Sequence, residues 1–289
     1  MTFFRRNDDV VSPPKPAPMA PEAFFLPVAA GQRFCLYHAP MGSLPRGALL
    51  YLHPFAEEMN KARRMAALQA RVLAEHGYAV LQIDLHGCGD SSGDFGDATW
   101  QGWLQDVLDA RAWLRQRCPA PLWLWGLRAG CLLAAQAAAQ IDEPANFLFW
   151  QPIASGKQFL QQFLRLKVAS ELMAGDHKGV MDALKRQLAG GQSVEIAGYS
   201  LSPALADGLE QAELLPPPKP RRLIWLELST RPDATLMPVS AKRLEQWRGA
   251  GYTTGSQVVP GPAFWQTTEI EDAPALLAAT TAALEAGSR

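Results

Sequence analysis

No stretch of this sequence offers about 18 uninterrupted apolar residues, so no segment reads as a membrane-spanning helix. Charge of one sign is also missing. Lys and Arg number 27 against 28 Asp and Glu, and the resulting net charge of −1 gives no electrostatic footprint for nucleic acid or an anionic membrane. Cysteine is scarce, and Cys35, Cys88, Cys118 and Cys131 contain no C-x-x-C pair, so neither a zinc site nor a disulfide framework is expected, and no cofactor is implied. The start, MTFFRRNDD, places Asp8 and Asp9 where a signal peptide would carry its apolar run. A soluble, cytoplasmic protein with reduced thiols is the expectation. Histidine is sparse and one-sided: His38, His53, His76, His86 and His177 are all of them, and none follows residue 177.

What is present suits one sizeable α/β domain. With 289 residues, 48% of them hydrophobic and 19% charged, the chain is long enough for a large core. Asn7 to Pro21 holds five prolines and little to bury, so residues 1–22 are expected to be a poorly ordered leader. Ala23 to Val28 and Gln32 to His38 read as a hairpin. Gly47 to Leu52 (GALLYL) reads as a strand covered on both faces, ending at His53-Pro54-Phe55. The spacing of Met65, Leu68, Val72 and Leu73 predicts a helix over Lys61 to Glu75. Further strands are expected at Ala79 to Leu85, from Leu122 and at Asn146 to Trp150, with a helix over Thr99 to Arg117. From Gly156 to Pro220 the alternation lapses into amphipathic pieces, Gln158 to Met173 and Gly179 to Leu188. It then resumes with Arg222 to Leu228, a helix near Ser240 to Arg248, Thr253 to Val259, and a last helix over Ala273 to Ala286. The expectation is a mostly parallel doubly wound sheet, with a core of residues 23–155 and 221–289 and an inserted helical cap, 156–220. Ligands bind such sheets at the carboxyl ends of the strands.

One junction stands out at such an end. In PLWLWGLRAGCLLAAQAAA, Pro121 to Ala139, an apolar strand meets a small-residue helix through Gly126-Leu127-Arg128-Ala129-Gly130. Together with His53-Pro54 and the loop Asp84-Leu85-His86-Gly87-Cys88-Gly89-Asp90-Ser91-Ser92-Gly93, this glycine-framed turn makes the chain resemble the α/β-hydrolase superfamily over roughly Phe24 to Leu284. More narrowly, HPFAEEMNKARRM (His53 to Met65), GLRAG and GPAFWQ (Gly261 to Gln266) are similar to the second of the two hydrolases associated with the exosortase A system. That resemblance implies a bacterial setting linked to the envelope and to exopolysaccharide.

The superfamily's elbow is G-x-S-x-G, and its catalytic order is nucleophile, acid, histidine. Here Arg128 holds the nucleophile position, and arginine neither deprotonates nor attacks. Asp233 follows the Arg222 to Leu228 strand, where the family's acid sits, and Ala263 lies where the histidine belongs. A serine mechanism is therefore not expected. Cys131 as a substitute nucleophile, and Ser91 or Ser92, are each outweighed by packing and turn roles. Arg128 needs compensation, from an internal carboxylate (Glu57, Glu58 or Asp233) or from an anionic ligand held by its guanidinium and the helix N–H groups.

The expected pocket contains His53, Glu57, Arg128 and Asp233 as acting groups, with Phe55, Leu127, Arg128 and Trp265 against the ligand. One of Glu57 and Glu58 is expected to face it, and Trp265 is the choice for stacking on a sugar. Two functions follow: hydrolysis of an ester or acyl group of a glycan precursor, or binding of an anionic small molecule by a pseudo-hydrolase or scaffold.

Overall fold

The computed structural model describes residues 20–174 and 179–286. Most of the expected leader lies outside the described residues. A hairpin, β1 (Glu22–Val28) and β2 (Gly31–His38), opens the sheet and begins one residue inside that leader. There follow β3 (Gly47–Leu52), α1 (Glu57–Glu75), β4 (Tyr78–Ile83), a 3₁₀ turn (Phe95–Asp97), α2 (Trp100–Arg117), β5 (Leu122–Leu127), α3 (Gly130–Ala138) and β6 (Asn146–Trp150). The insertion comprises α4 (Gly156–Ala174), α5 (Val180–Ala189), β7 (Val194–Ile196), β8 (Tyr199–Leu201) and α6 (Pro203–Gln211). The chain closes with β9 (Arg222–Ser229), α7 (Pro238–Gly249), β10 (Thr253–Pro260) and α8 (Pro274–Glu285).

Eight strands form one sheet in the order β1-β2-β4-β3-β5-β6-β9-β10. β1 and β2 are antiparallel, β2 meets β4 antiparallel, and every later pairing is parallel. Parallel pairing needs helical crossovers and hence cover on both faces, which is why β3 and β5 are apolar at every position and wholly buried. Side chains of β5 alternate between two cores. Leu122 and Leu124 pack with α2 and α3, whereas Trp123, Trp125 and Leu127 pack with α1 and α8.

Two expectations need correction. Helix α1 starts at Glu57, not Lys61, and its buried residues include Glu58, Ala62, Met65, Gln69 and Leu73, while Leu68 and Val72 are only partly buried. The insertion also holds a small hairpin, β7–β8, turned by Ala197 and Gly198 at positive φ, and a helix, α6, capped by Ser202 with Pro203 in its first turn. Helix α6 lies so close to α2 that a Cβ on Gly208 would stand 2.2 Å from Trp100 Cβ.

Candidate functional site

The turn between β5 and α3 brings its backbone so close to its neighbours that its glycines are obligatory. A Cβ at Gly130 would lie 2.2 Å from the Leu52 carbonyl oxygen, and one at Gly126 would lie 2.6 Å from the Cys131 nitrogen. Between them Arg128 is held at φ 55°, a left-handed conformation that costs a non-glycine residue about 1–3 kcal/mol. Two hydrogen bonds fix it: Arg128 N–H donates to the Trp150 carbonyl at 3.1 Å, and its own carbonyl accepts from Cys131 N–H at 3.1 Å. Ala56, Gln151 and Asp233 also have positive φ, and like Arg128 they follow the carboxyl ends of strands. Strain is thus concentrated along the edge where such sheets bind ligands.

The Arg128 side chain is 13% exposed and points back over α1. Its Nε donates to Glu58, 3.2 Å from Oε1 and 3.4 Å from Oε2. The guanidinium carbon lies 5.4 Å from the Trp265 ring centre and 5.7 Å from that of Phe159, which α4 brings over from the insertion. The two terminal guanidinium nitrogens make no hydrogen bond among the described residues. Close by, Glu57 Oε2 and Trp265 Nε1 are buried without a partner.

Burial governs the charges here. It pushes the Glu58 carboxyl up to about 7, with Glu57 adding to the rise and Arg128 and Gln266 opposing it. Glu57 is raised in the same way, again against the pull of Arg128. Glu58 therefore takes up a proton at a higher pH than an ordinary carboxyl does.

The other expected residues fall out differently. His53 is buried, with Nδ1 bonded to the Pro54 carbonyl at 2.7 Å and Nε2 accepting from Leu85 N–H at 3.3 Å. Burial lowers its pKa, and its one ring proton, on Nδ1, is held by the Pro54 carbonyl at the end of β3. Phe55 is buried among Phe95, Trp103, Phe159 and Phe163, and Leu127 lies wholly in the core. Trp265 is buried and turned to Arg128, so the expected sugar platform is taken. Asp233 is exposed in a separate groove beside Gln151 and Met237 and does not pair with Arg128. Cys131 is fully buried, its thiol directed to the Trp150 carbonyl at 3.9 Å and its pKa raised by burial. It has no open sulfur with which to attack. Ser91 and Ser92 tie their loop to β2 through Phe34 N–H and Gln32 N–H.

Of the three carboxylates expected to compensate Arg128, the structure selects Glu58. Glu57 is the glutamate preferred for the pocket on sequence alone, yet counting back seven residues from Met65 reaches Glu58 on the helix's buried stripe. Phe159 had no signal beyond its place in an amphipathic run.

An eight-stranded, mostly parallel sheet with a glycine-framed elbow after β5 defines the α/β-hydrolase fold, and this chain has it. Residues 37–157 match the family model of X-Pro dipeptidyl-peptidase (S15 family). A 116-residue stretch is 31% identical to human Protein ABHD12B, over 40% of this chain and 30% of that protein's length. Among solved structures, a monoglyceride lipase from Saccharomyces cerevisiae superposes with a TM-score of 0.61 at 14% identity, covering 94% of this chain and 96% of the lipase. XC6422 from Xanthomonas campestris, an a/b serine hydrolase without lid, gives 0.56 at 15% identity, covering 93% and 96%. No described helix is long and apolar enough to cross a membrane.

Proposed function

We propose that this chain is a hydrolase-fold protein whose nucleophile has been replaced by Arg128, and that Arg128 holds an anionic group, a carboxylate or phosphate, beneath a cap formed by residues 156–220. The observation that carries the reading is the pair of terminal guanidinium nitrogens of Arg128, which make no hydrogen bond among the described residues. Arginine's planar fork meets both oxygens of such a group, and the N–H groups at the start of α3 favour negative charge. Phe159 from α4 supports the cap assignment. The degenerate triad supports binding over serine chemistry, since Asp233 faces another groove and Ala263 stands in the base region. The resemblance of the His53 to Met65 segment, GLRAG and GPAFWQ to the exosortase-associated hydrolase favours a glycan-precursor ligand and a bacterial, cytoplasmic setting. Four buried free thiols suit that compartment.

A second reading is favoured by Glu58. A carboxyl near 7 takes and returns protons at neutral pH, so an ester or acyl group whose oxygen rests on Arg128 could be hydrolysed by water, with Glu58 as base. A panel of short activated esters with wild type, Arg128→Ala and Glu58→Gln separates the two. Turnover above a heat-killed control that is lost in both variants supports hydrolysis; no turnover, with no acyl adduct by intact mass, supports binding alone.

A further inference from the structure

A groove apart from the Arg128 site opens where β6, β9 and β10 end and the chain runs on from β9 toward α7. It encloses about 550 Å³, within the range of small-molecule sites. Gln151 and Asp233, both at positive φ, stand on the two turns that frame it. Gln151 is anchored there, its Oε1 accepting from Leu228 N–H at 2.7 Å. Leu228, Val258 and the half-exposed Met237 give the groove an apolar side.

Glu227 is the unusual member of the lining. Alternation along β9 sends it to the face that Trp225 shares with the core, and it is only 4% exposed. Its Oε1 accepts from Trp225 Nε1 at 2.8 Å. Its Oε2 makes no hydrogen bond among the described residues, yet that oxygen keeps accessible surface, and the groove is where Glu227 meets solvent. No Lys, Arg or His pairs with the carboxylate among the described residues. A carboxylate taken this far out of water needs partners that replace its hydration, and one neutral indole N–H leaves the second oxygen unmatched.

The neighbouring charges set the sign of the missing partner. Glu227 and Asp233 carry two negative charges into the groove against the single positive charge of Arg231, whose exposed side chain pairs with neither among the described residues. A cation is therefore favoured. No third Asp, Glu, His or Cys completes a metal-binding group among the described residues, which suits an organic cation better than a metal ion.

We propose that this groove binds a small primary alkylamine as its ammonium ion, with the nitrogen donating to Glu227 Oε2 and to the Asp233 carboxylate and the alkyl stem lying against Leu228, Val258 and Met237. An ammonium carries three donors and no acceptor, which suffices for both carboxylates, and its bonds to them are charge-assisted. The site does not involve Arg128, so it stands or falls separately from the anion reading.

The test is a protein NMR titration at pH 7 and low salt with n-butylammonium chloride and, as a neutral control of matched shape, 1-butanol. The ammonium should saturate shifts of the Gln151, Leu228 and Asp233 amides, and 1-butanol should bind at least tenfold more weakly. Glu227→Gln keeps an acceptor for Trp225 Nε1 and should weaken the ammonium tenfold or more while leaving 1-butanol unchanged. Asp233→Asn lies on the exposed rim, at a left-handed φ of 59° that asparagine tolerates, so it should fold whatever becomes of Glu227→Gln and weaken the ammonium about threefold. Arg128→Gln should bind as wild type does. Shifts that do not saturate, 1-butanol binding as tightly as the ammonium, or unchanged ammonium affinity in the folded variants would overturn the proposal.

Discussion

Arg128 Nε stands 3.2 Å from Glu58 Oε1, so the central residue of the glycine-framed elbow is tied to the second residue of α1. Glu58 is nearly inaccessible, and burying a carboxylate against one guanidinium nitrogen recovers only part of its lost hydration. That imbalance shapes how the protein should respond to pH.

Glu58 has a folded pKa of about 7, above its ordinary 4.5. Its contribution to stability is complete below pH 4.5 and is lost as pH rises through 7. Glu58→Gln does not titrate, so its stability relative to wild type should rise between pH 5 and 8 by on the order of 3 kcal/mol. Urea unfolding of both proteins at several pH values checks this. A constant difference would mean that Glu58 is fully ionised throughout.

Anion binding should be coupled to the same proton. With Glu57 and Glu58 both ionised, Arg128 is outnumbered, so an anion is admitted most readily when Glu58 is protonated. Affinity should fall about tenfold per pH unit above 7. Calorimetry in buffers of different ionisation enthalpy should report proton uptake on binding near neutrality.

The elbow itself predicts a severe glycine substitution. Gly130→Ala drives a methyl to 2.2 Å from Leu52 O, a backbone atom of a central strand that cannot retreat. A loss of more than about 3 kcal/mol is expected by urea unfolding. Gly255 on the edge strand β10 has nothing within 4 Å and ordinary φ, so Gly255→Ala should be within about 1 kcal/mol of wild type.

All four cysteines are buried, and burial raises each thiol's pKa, that of Cys35 to about 12. Native protein should therefore resist a thiol-reactive disulfide reagent, and all four thiols should react in guanidinium chloride. Rapid labelling of Cys131 in the native state would reopen it as a nucleophile.

Much of the fold was legible because parallel strands buried on both faces are continuous apolar runs. Gly47 to Leu52 and Asn146 to Trp150 read directly as β3 and β6. The start of α1 was not, because Glu57 and Glu58 look like pocket carboxylates and only the structure sets them in the first turn. Three-residue strands such as β7 and β8 are too short to show alternation, whereas Ser202-Pro203 did carry a usable helix-start signal for α6. The elbow was readable from Gly126 and Gly130. Its charge partner was not, because the choice among Glu57, Glu58 and Asp233 depends on which way α1 and the turn at Asp233 face.

The proposed anion site rests on Arg128. Titration calorimetry of benzoate and phenyl phosphate into wild type and Arg128→Gln at pH 6 tests it most directly. It predicts saturable binding of at least one of the two to wild type, weakened tenfold or more in Arg128→Gln. Equal binding by both proteins, or none by wild type, would contradict it.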